Sequence, residues 1–184
     1  MSEDLRPLAW TLEEFLDWER QQEERYEFDG VGPVAMTGGT LRHSAIGTSL
    51  VGALGQRLRR PCRAFRGDVK IRVAGNRIRY PDAAVSCTDP LPVDSDILPD
   101  SVAVFEVLSS STAAFDRTVK AAEYASTPSV RVYVMLAQDR PQATILRRTP
   151  AGWEEEAIAC AEAALALPEI GIDVLPLGSL CPAD

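Results

Sequence analysis

A single histidine, His43, serves the whole 184-residue chain, and that scarcity narrows the chemistry at once. Zinc sites are assembled from thiolate and imidazole ligands at local spacing. The four cysteines, Cys62, Cys87, Cys160 and Cys181, are scattered with no C-x-x-C pair, so no zinc centre is expected and the thiols read as those of a reducing compartment. Any Ser-His-Asp or Cys-His triad would have to run on His43. Lysine is almost as rare, with only Lys70 and Lys120 beside seventeen arginines. No uncharged stretch approaches the ~20 apolar residues that span a bilayer, so no membrane partner is expected. The acidic start Met-Ser-Glu-Asp-Leu lacks the basic-then-apolar order of a secretory signal, which points to a cytoplasmic protein. Whatever chemistry exists is expected to rest on carboxylates.

What is present suits one globular domain over residues 1–184, since 46% of residues are hydrophobic and 25% charged. The net charge of −8 speaks against a nucleic-acid partner, but it is unevenly spread. Residues 1–29 hold ten acids and three bases, whereas Arg57 to Arg79 holds nine bases and one acid. That segment is +8 and the remainder −16, so a local positive face toward phosphate remains open. The alternative is a solvated arginine-rich surface.

Hydrophobic spacing sets out the elements. Thr11 caps a short amphipathic helix that ends near Gln22, and Tyr26–Phe28 with Val34–Met36 reads as a hairpin around the Gly and Pro residues at 30, 32 and 33. Ile46, Leu50, Leu54 and Leu58 recur every fourth residue, predicting a helix from about 43 to 60 that Pro61 stops. Alternation predicts a strand over 68–73, a turn at 74–76 and a second strand over 78–87. After a Pro- and Asp-rich loop, residues 102–108 form an apolar strand interrupted only by Glu106. A helix follows to about residue 125, with Phe115, Val119 and Ala122 as its buried stripe, and then strands at 130–136 and 143–147. Residues 165–180 read as an irregular apolar wrap. The order over 43–136 is helix, strand, strand, strand, helix, strand: an α/β domain on a mixed sheet, preceded by an N-terminal hairpin.

Glu106 is the most informative residue, because a carboxylate inside an apolar strand must be paired, protonated or bound to a metal. Asp82 is the only acid between Ile78 and Thr88. If the two strands are neighbours in register, both carboxylates can reach one hard cation, for which Mg²⁺ is the natural candidate. Asp116, Lys120 and Tyr124, spaced i, i+4, i+8, share one face of the following helix. Lys120 could stabilise phosphate charge or position a water. The plain alternative pairs Glu106 with an arginine, has Asp82 capping a turn, and gives Lys120 a surface pair with Asp116.

The strings Ile78-Arg-Tyr-Pro-Asp82-Ala-Ala-Val85, Phe105-Glu-Val-Leu-Ser109-Ser-Ser-Thr112, Asp116-Arg-Thr-Val-Lys120-Ala-Ala-Glu-Tyr124 and Val130-Arg-Val-Tyr133 together resemble the Uma-two family of restriction endonucleases, within the PD-(D/E)xK nuclease superfamily. Thr11 to Phe15, Arg25 to Gly30 and His43 with its helix extend the resemblance over nearly the whole chain. It implies a restriction-endonuclease-like fold, with Asp82 and Glu106 as ligands of Mg²⁺ (or Mn²⁺) and Lys120 as the motif lysine. The superfamily lysine usually stands two residues after the second acid, where this chain has Leu108; the resemblance implies that it has moved to the following helix. Asp68-Val-Lys70 also spells D-x-K, but no first acid precedes it in the right place. Glu27, His43 and Tyr124 are auxiliary candidates, and Arg57, Arg59, Arg60, Arg63 and Arg66 are candidates for DNA backbone contacts. The expected activity is metal-dependent hydrolysis of DNA phosphodiester bonds, by a homodimer as the resemblance implies. The other reading is a nuclease fold kept as a non-catalytic module that binds nucleic acid or protein.

Overall fold

The structure is a computed structural model that describes residues 9–36, 38–159 and 162–180. Helix α1 (Leu12–Glu19) opens on a capping box: Thr11 accepts from the Glu14 N–H while the Glu14 side chain accepts from the Thr11 N–H. The chain then turns through the hairpin β1 (Tyr26–Phe28) and β2 (Pro33–Ala35) into α2 (Leu41–Arg57), which buries Ile46, Leu50 and Leu54.

The larger sheet has six strands in the order β11-β10-β9-β8-β6-β3. These are β3 (Arg63–Arg66), β6 (Ala83–Ser86), β8 (Ser101–Leu108), β9 (Val132–Ala137), β10 (Ala143–Thr149) and β11 (Gly152–Ile158). The β8/β9 pair is parallel and the other pairs antiparallel, so the sheet is mixed, and β8, at its middle, is apolar on both faces. Ala103, Phe105 and Val107 pack with the α2 stripe; Val104 and Leu108 pack with Tyr124 and Tyr133 on the opposite side. Two-residue alternation thus sends Glu106 to the side of the later helix, away from the α2 stripe.

A second sheet, β2-β1-β5-β4-β7, contains β4 (Lys70–Val73), β5 (Arg77–Arg79) and β7 (Ile97–Leu98). The strand expected over 78–87 is therefore two: β5 belongs to this sheet and β6 to the larger one. Tyr80-Pro81-Asp82 carries the chain between them, at the one residue that has no N–H for a ladder. The segment expected as an irregular wrap is ordered, with β12 (Ala164–Leu167) paired to β13 (Ile172–Pro176) across the α2 side of the core.

Cys62 and Cys87 are joined by a disulfide, which corrects the expectation of reduced, scattered thiols. Antiparallel pairing of β3 with β6 sets Arg63 opposite Ser86, and the same register brings positions 62 and 87 face to face. Strand pairing makes that contact, not local spacing, so no C-x-x-C signal could announce it. Cys160 and Cys181 lie outside the described residues, as does the N-terminal Met-Ser-Glu-Asp-Leu. No helix among the described residues is long and apolar enough to cross a membrane.

Candidate active site

The β6/β8 register pairs Ala83 with Phe105 and Ala84 with Val104; one step further along, Asp82 stands across from Glu106. Directly opposed residues share a face of a sheet with Cβ atoms about 5 Å apart. Asp82 is held there because its Oδ2 accepts the Val107 N–H at 2.7 Å. The His43 Nε2 reaches the same oxygen at 3.2 Å from the first turn of α2.

Glu106 is 4% exposed. Its Oε1 accepts from Lys120 Nζ at 2.8 Å and from the Tyr124 hydroxyl at 2.9 Å. Burial nevertheless wins over the lysine: with Asp82 and Asp116 adding repulsion, the Glu106 pKa is pushed up to about 8. Burial works against the charged form of Lys120, but the carboxylates of Glu106, Glu27 and Asp116 outweigh it and hold its pKa above the ordinary lysine value. The pair therefore resolves with the ammonium charged and the carboxyl inclined to keep its proton. Tyr124 is likewise pushed up, by burial first and then by Glu106.

The helix that carries Lys120 is turned the opposite way from the one its apolar residues predict. It runs through α3 (Ala113–Phe115), a π-helical turn (Asp116–Lys120) and α4 (Ala121–Ser126). Phe115 and Val119 are 40% and 41% exposed and Ala122 is exposed, whereas Asp116, Lys120, Glu123 and Tyr124 are buried. The expected stripe is thus corrected. The polar face goes inward because every charge on it meets a partner: Lys120 lies 3.4 Å from Asp116 and 3.5 Å from Glu27, and Glu123 takes both Nε and Nη2 of Arg79 at 2.6 and 2.7 Å. Wide π turns concentrate at functional sites.

These groups surround a cleft of about 500 Å³ lined by Glu27, His43, Asp82, Glu106, Asp116 and Lys120, with Val34, Met36 and Phe115 at its apolar wall. Tyr124 lies behind it, reached through Glu106. Glu27 is doubly fixed, accepting the Tyr80 N–H at 3.0 Å and Arg79 at 3.1 Å. Sequence reasoning passed over Arg79, Glu123 and the inward role of Asp116. The one available signal was the density of charge on the helix face that the apolar-stripe rule assigned to solvent. The five arginines from Arg57 to Arg66 are not at this cleft. Arg57 closes the far end of α2, a helix about 25 Å long, and donates to the carbonyls of Ala53 and Val174. Arg63 and Arg66 lie on the edge strand β3. Lys70 of the second D-x-K string is buried between Glu19, at 2.6 Å, and Asp96, at 2.8 Å.

Residues 12–175 match the profile of the Uma2 family, described as "Putative restriction endonuclease". The chain belongs to the Uma2 family. It is 32% identical over 127 residues, covering 68% of this chain and 67% of the relative, to the uncharacterized protein slr1290 of Synechocystis sp. (strain PCC 6803). The crystal structure of a "putative nuclease belonging to DUF820" from Anabaena variabilis shares the fold at a TM-score of 0.74 and 19% identity, over 95% of this chain and 97% of that one. This Uma2 member therefore shares its mixed α/β architecture with that structure.

The donor set bears on whether a cation fits. Among the described residues no three His, Cys, Asp or Glu side chains converge as a ready-made metal cluster. An ion here would rest on Asp82 and Glu106, completing its shell with water as Mg²⁺ usually does. Around that place Glu27, Glu106, Asp116 and Glu123 are ion-paired with Arg77, Arg79 and Lys120, and Asp82 with His43. Buried Asp116 Oδ1 accepts no hydrogen bond and has only the Lys120 ammonium, at 3.4 Å. The bonds made to Asp82 and Glu106 all fall on Oδ2 and Oε1, which leaves the other oxygen of Asp82 to a ligand and that of Glu106 to its proton or, once ionised, to a ligand.

Proposed function

We propose that this Uma2 protein is a Mg²⁺-dependent endonuclease that hydrolyses DNA phosphodiester bonds, with Mn²⁺ able to replace Mg²⁺. The observation that carries the reading is that Asp82, one residue beyond the Ala83–Phe105 pair of β6 and β8, and the buried Glu106 line the same open cleft with Lys120. Bound there, Mg²⁺ would supply a hydroxide-like nucleophile at neutral pH and offset the charge that builds on the phosphate. Asp82 and Glu106 would hold it. Lys120, kept charged by three carboxylates, is placed to orient the attacking water or a phosphate oxygen. Water adds to phosphorus, the P–O ester bond breaks, and the leaving oxygen takes up a proton.

The test is incubation of purified protein with plasmid and single-stranded DNA in Mg²⁺, Mn²⁺ or EDTA, beside Asp82→Asn and Glu106→Gln. Metal-dependent cleavage by the parent chain, lost in both variants, is the expected result. Cleavage unaffected by the substitutions, or absent with every metal, would sink the proposal. One observation favours the non-catalytic module instead: no arginine is among the described residues lining the cleft. A protein that bound DNA with equal strength in EDTA and cut nothing would be that module.

A further inference from the structure

The only histidine has a place in the cleft that neither its chemistry class nor its helix requires. Its helix start is fixed twice: Thr40 Oγ1 accepts the His43 N–H at 3.2 Å and meets Gln138 Oε1 at 3.0 Å, tying the first turn of α2 to the end of β9. Preceding it is Gly39, where a Cβ would fall 2.9 Å from His43 Nδ1 and 3.1 Å from Cγ. The imidazole therefore lies flush against backbone, and any larger residue at 39 would displace it. In this position one edge of the ring faces Gly39 and Nε2 faces Asp82 Oδ2 at 3.2 Å.

Asp82 Oδ2 receives a second donor, the Val107 N–H at 2.7 Å. A carboxylate with one donor can rotate about its terminal torsion; two donors on the same oxygen from different elements, α2 and β8, fix its plane. Oδ1 is then the oxygen left for a cation. The geometry points to His43 as a positioning residue for the metal: its Nε2–H, with the Val107 N–H, clamps Oδ2 of Asp82 so that Oδ1 is presented to the ion beside Glu106. This rests on the reading of Asp82 as a ligand. Groups that orient a ligand in this way typically govern metal affinity by 10–100-fold without touching the metal.

Four forms of the chain test it by calorimetric titration with Mn²⁺, each also unfolded in urea without metal. His43→Leu removes the donor and is expected to weaken Mn²⁺ binding about 10–100-fold. His43→Gln, whose amide can donate from a similar position, is expected to recover most of that loss. Gly39→Ala keeps the histidine but pushes its ring, and is expected to weaken binding in the manner of His43→Leu. A merely structural histidine would change the urea midpoint without this ordering of affinities. Binding by His43→Leu within twofold of the parent overturns the assignment, as does Gln behaving like Leu. Should His43→Leu not fold, the Gln and Gly39→Ala comparisons decide in its place. A parent chain that takes up no Mn²⁺ at all overturns the ligand reading itself, a result distinct from equal binding by all four forms.

Discussion

At the scale of single residues the cleft is a balance between burial and charge, and Glu106 is where it tips. Lys120, Tyr124, Asp82, Asp116, Glu27 and His43 all face it or its partners. Below the ordinary glutamate value of 4.5, both the folded and unfolded chains hold the proton, and Glu106 makes no difference to stability. Between 4.5 and about 8 the unfolded chain has lost a proton that the folded chain keeps, so folding grows less favourable as pH rises, and above about 8 the loss is complete. His43, raised by its bond to Asp82, acts in the same direction. Urea midpoints in EDTA are therefore expected to fall from pH 5 to pH 8.5, and Glu106→Gln is expected to flatten most of that slope; an unchanged slope would place the titration elsewhere. Lys120→Met is expected to cost about 3–5 kcal/mol in the same assay, because three buried acids lose their shared cation. Glu106 was legible as an acid inside an apolar strand, and Asp82 as the only acid between Ile78 and Thr88, although it lies in the link between β5 and β6 and not within a strand. Arg79 and Glu123 were not: a bidentate pair 44 residues apart leaves no mark in local spacing.

At the scale of elements, the same physics explains which parts could be read ahead. Helix α2 was legible because its four-residue apolar period and its burial agree. The helix over Lys120 was misread for the converse reason. Phe115, Val119 and Ala122 face solvent, since the buried space beside β8 is shared by Ala121, Tyr124 and a network of paired charges. Val119→Lys is accordingly expected to shift stability by no more than about 0.5 kcal/mol, whereas a buried-stripe position would lose several times that; a large loss in the urea midpoint would contradict the orientation. Strands β3 and β6 carry another non-local feature, the Cys62–Cys87 bond with a sequence separation of 25. Closing a loop of that size in the unfolded chain is worth about 3.5 kcal/mol in the chain-entropy account. Reduction with a thiol reagent, or Cys62→Ser with Cys87→Ser, is expected to lower the melting temperature by about 7–14 °C, measured by differential scanning calorimetry.

At the scale of the whole molecule, the net charge of −8 and the proposed partner meet at two separate places. The cleft concentrates carboxylates, so in EDTA it repels a phosphodiester. The arginine-rich segment begins at Arg57, at the opposite end of α2, and returns in β3 alongside β6, where Arg66 pairs with Ala83, one residue from Asp82; none of Arg57 to Arg66 lines the cleft, so these arginines can bind backbone without themselves serving the chemistry. These two terms are separable by experiment. Duplex DNA binding is expected to be weak in EDTA and to strengthen in Ca²⁺, which fills an oxygen site and usually supports little phosphodiester hydrolysis. Replacing Arg59, Arg60, Arg63 and Arg66 by serine is expected to weaken binding at every divalent-ion concentration and to flatten its dependence on salt, by about 0.9 in log–log slope for each phosphate that is no longer neutralised. The cation requirement should survive that replacement intact, because it arises in the cleft. Fluorescence anisotropy across a salt series distinguishes the cases: an unchanged slope would remove the segment from the DNA path, and binding that ignores divalent ions would remove the cleft.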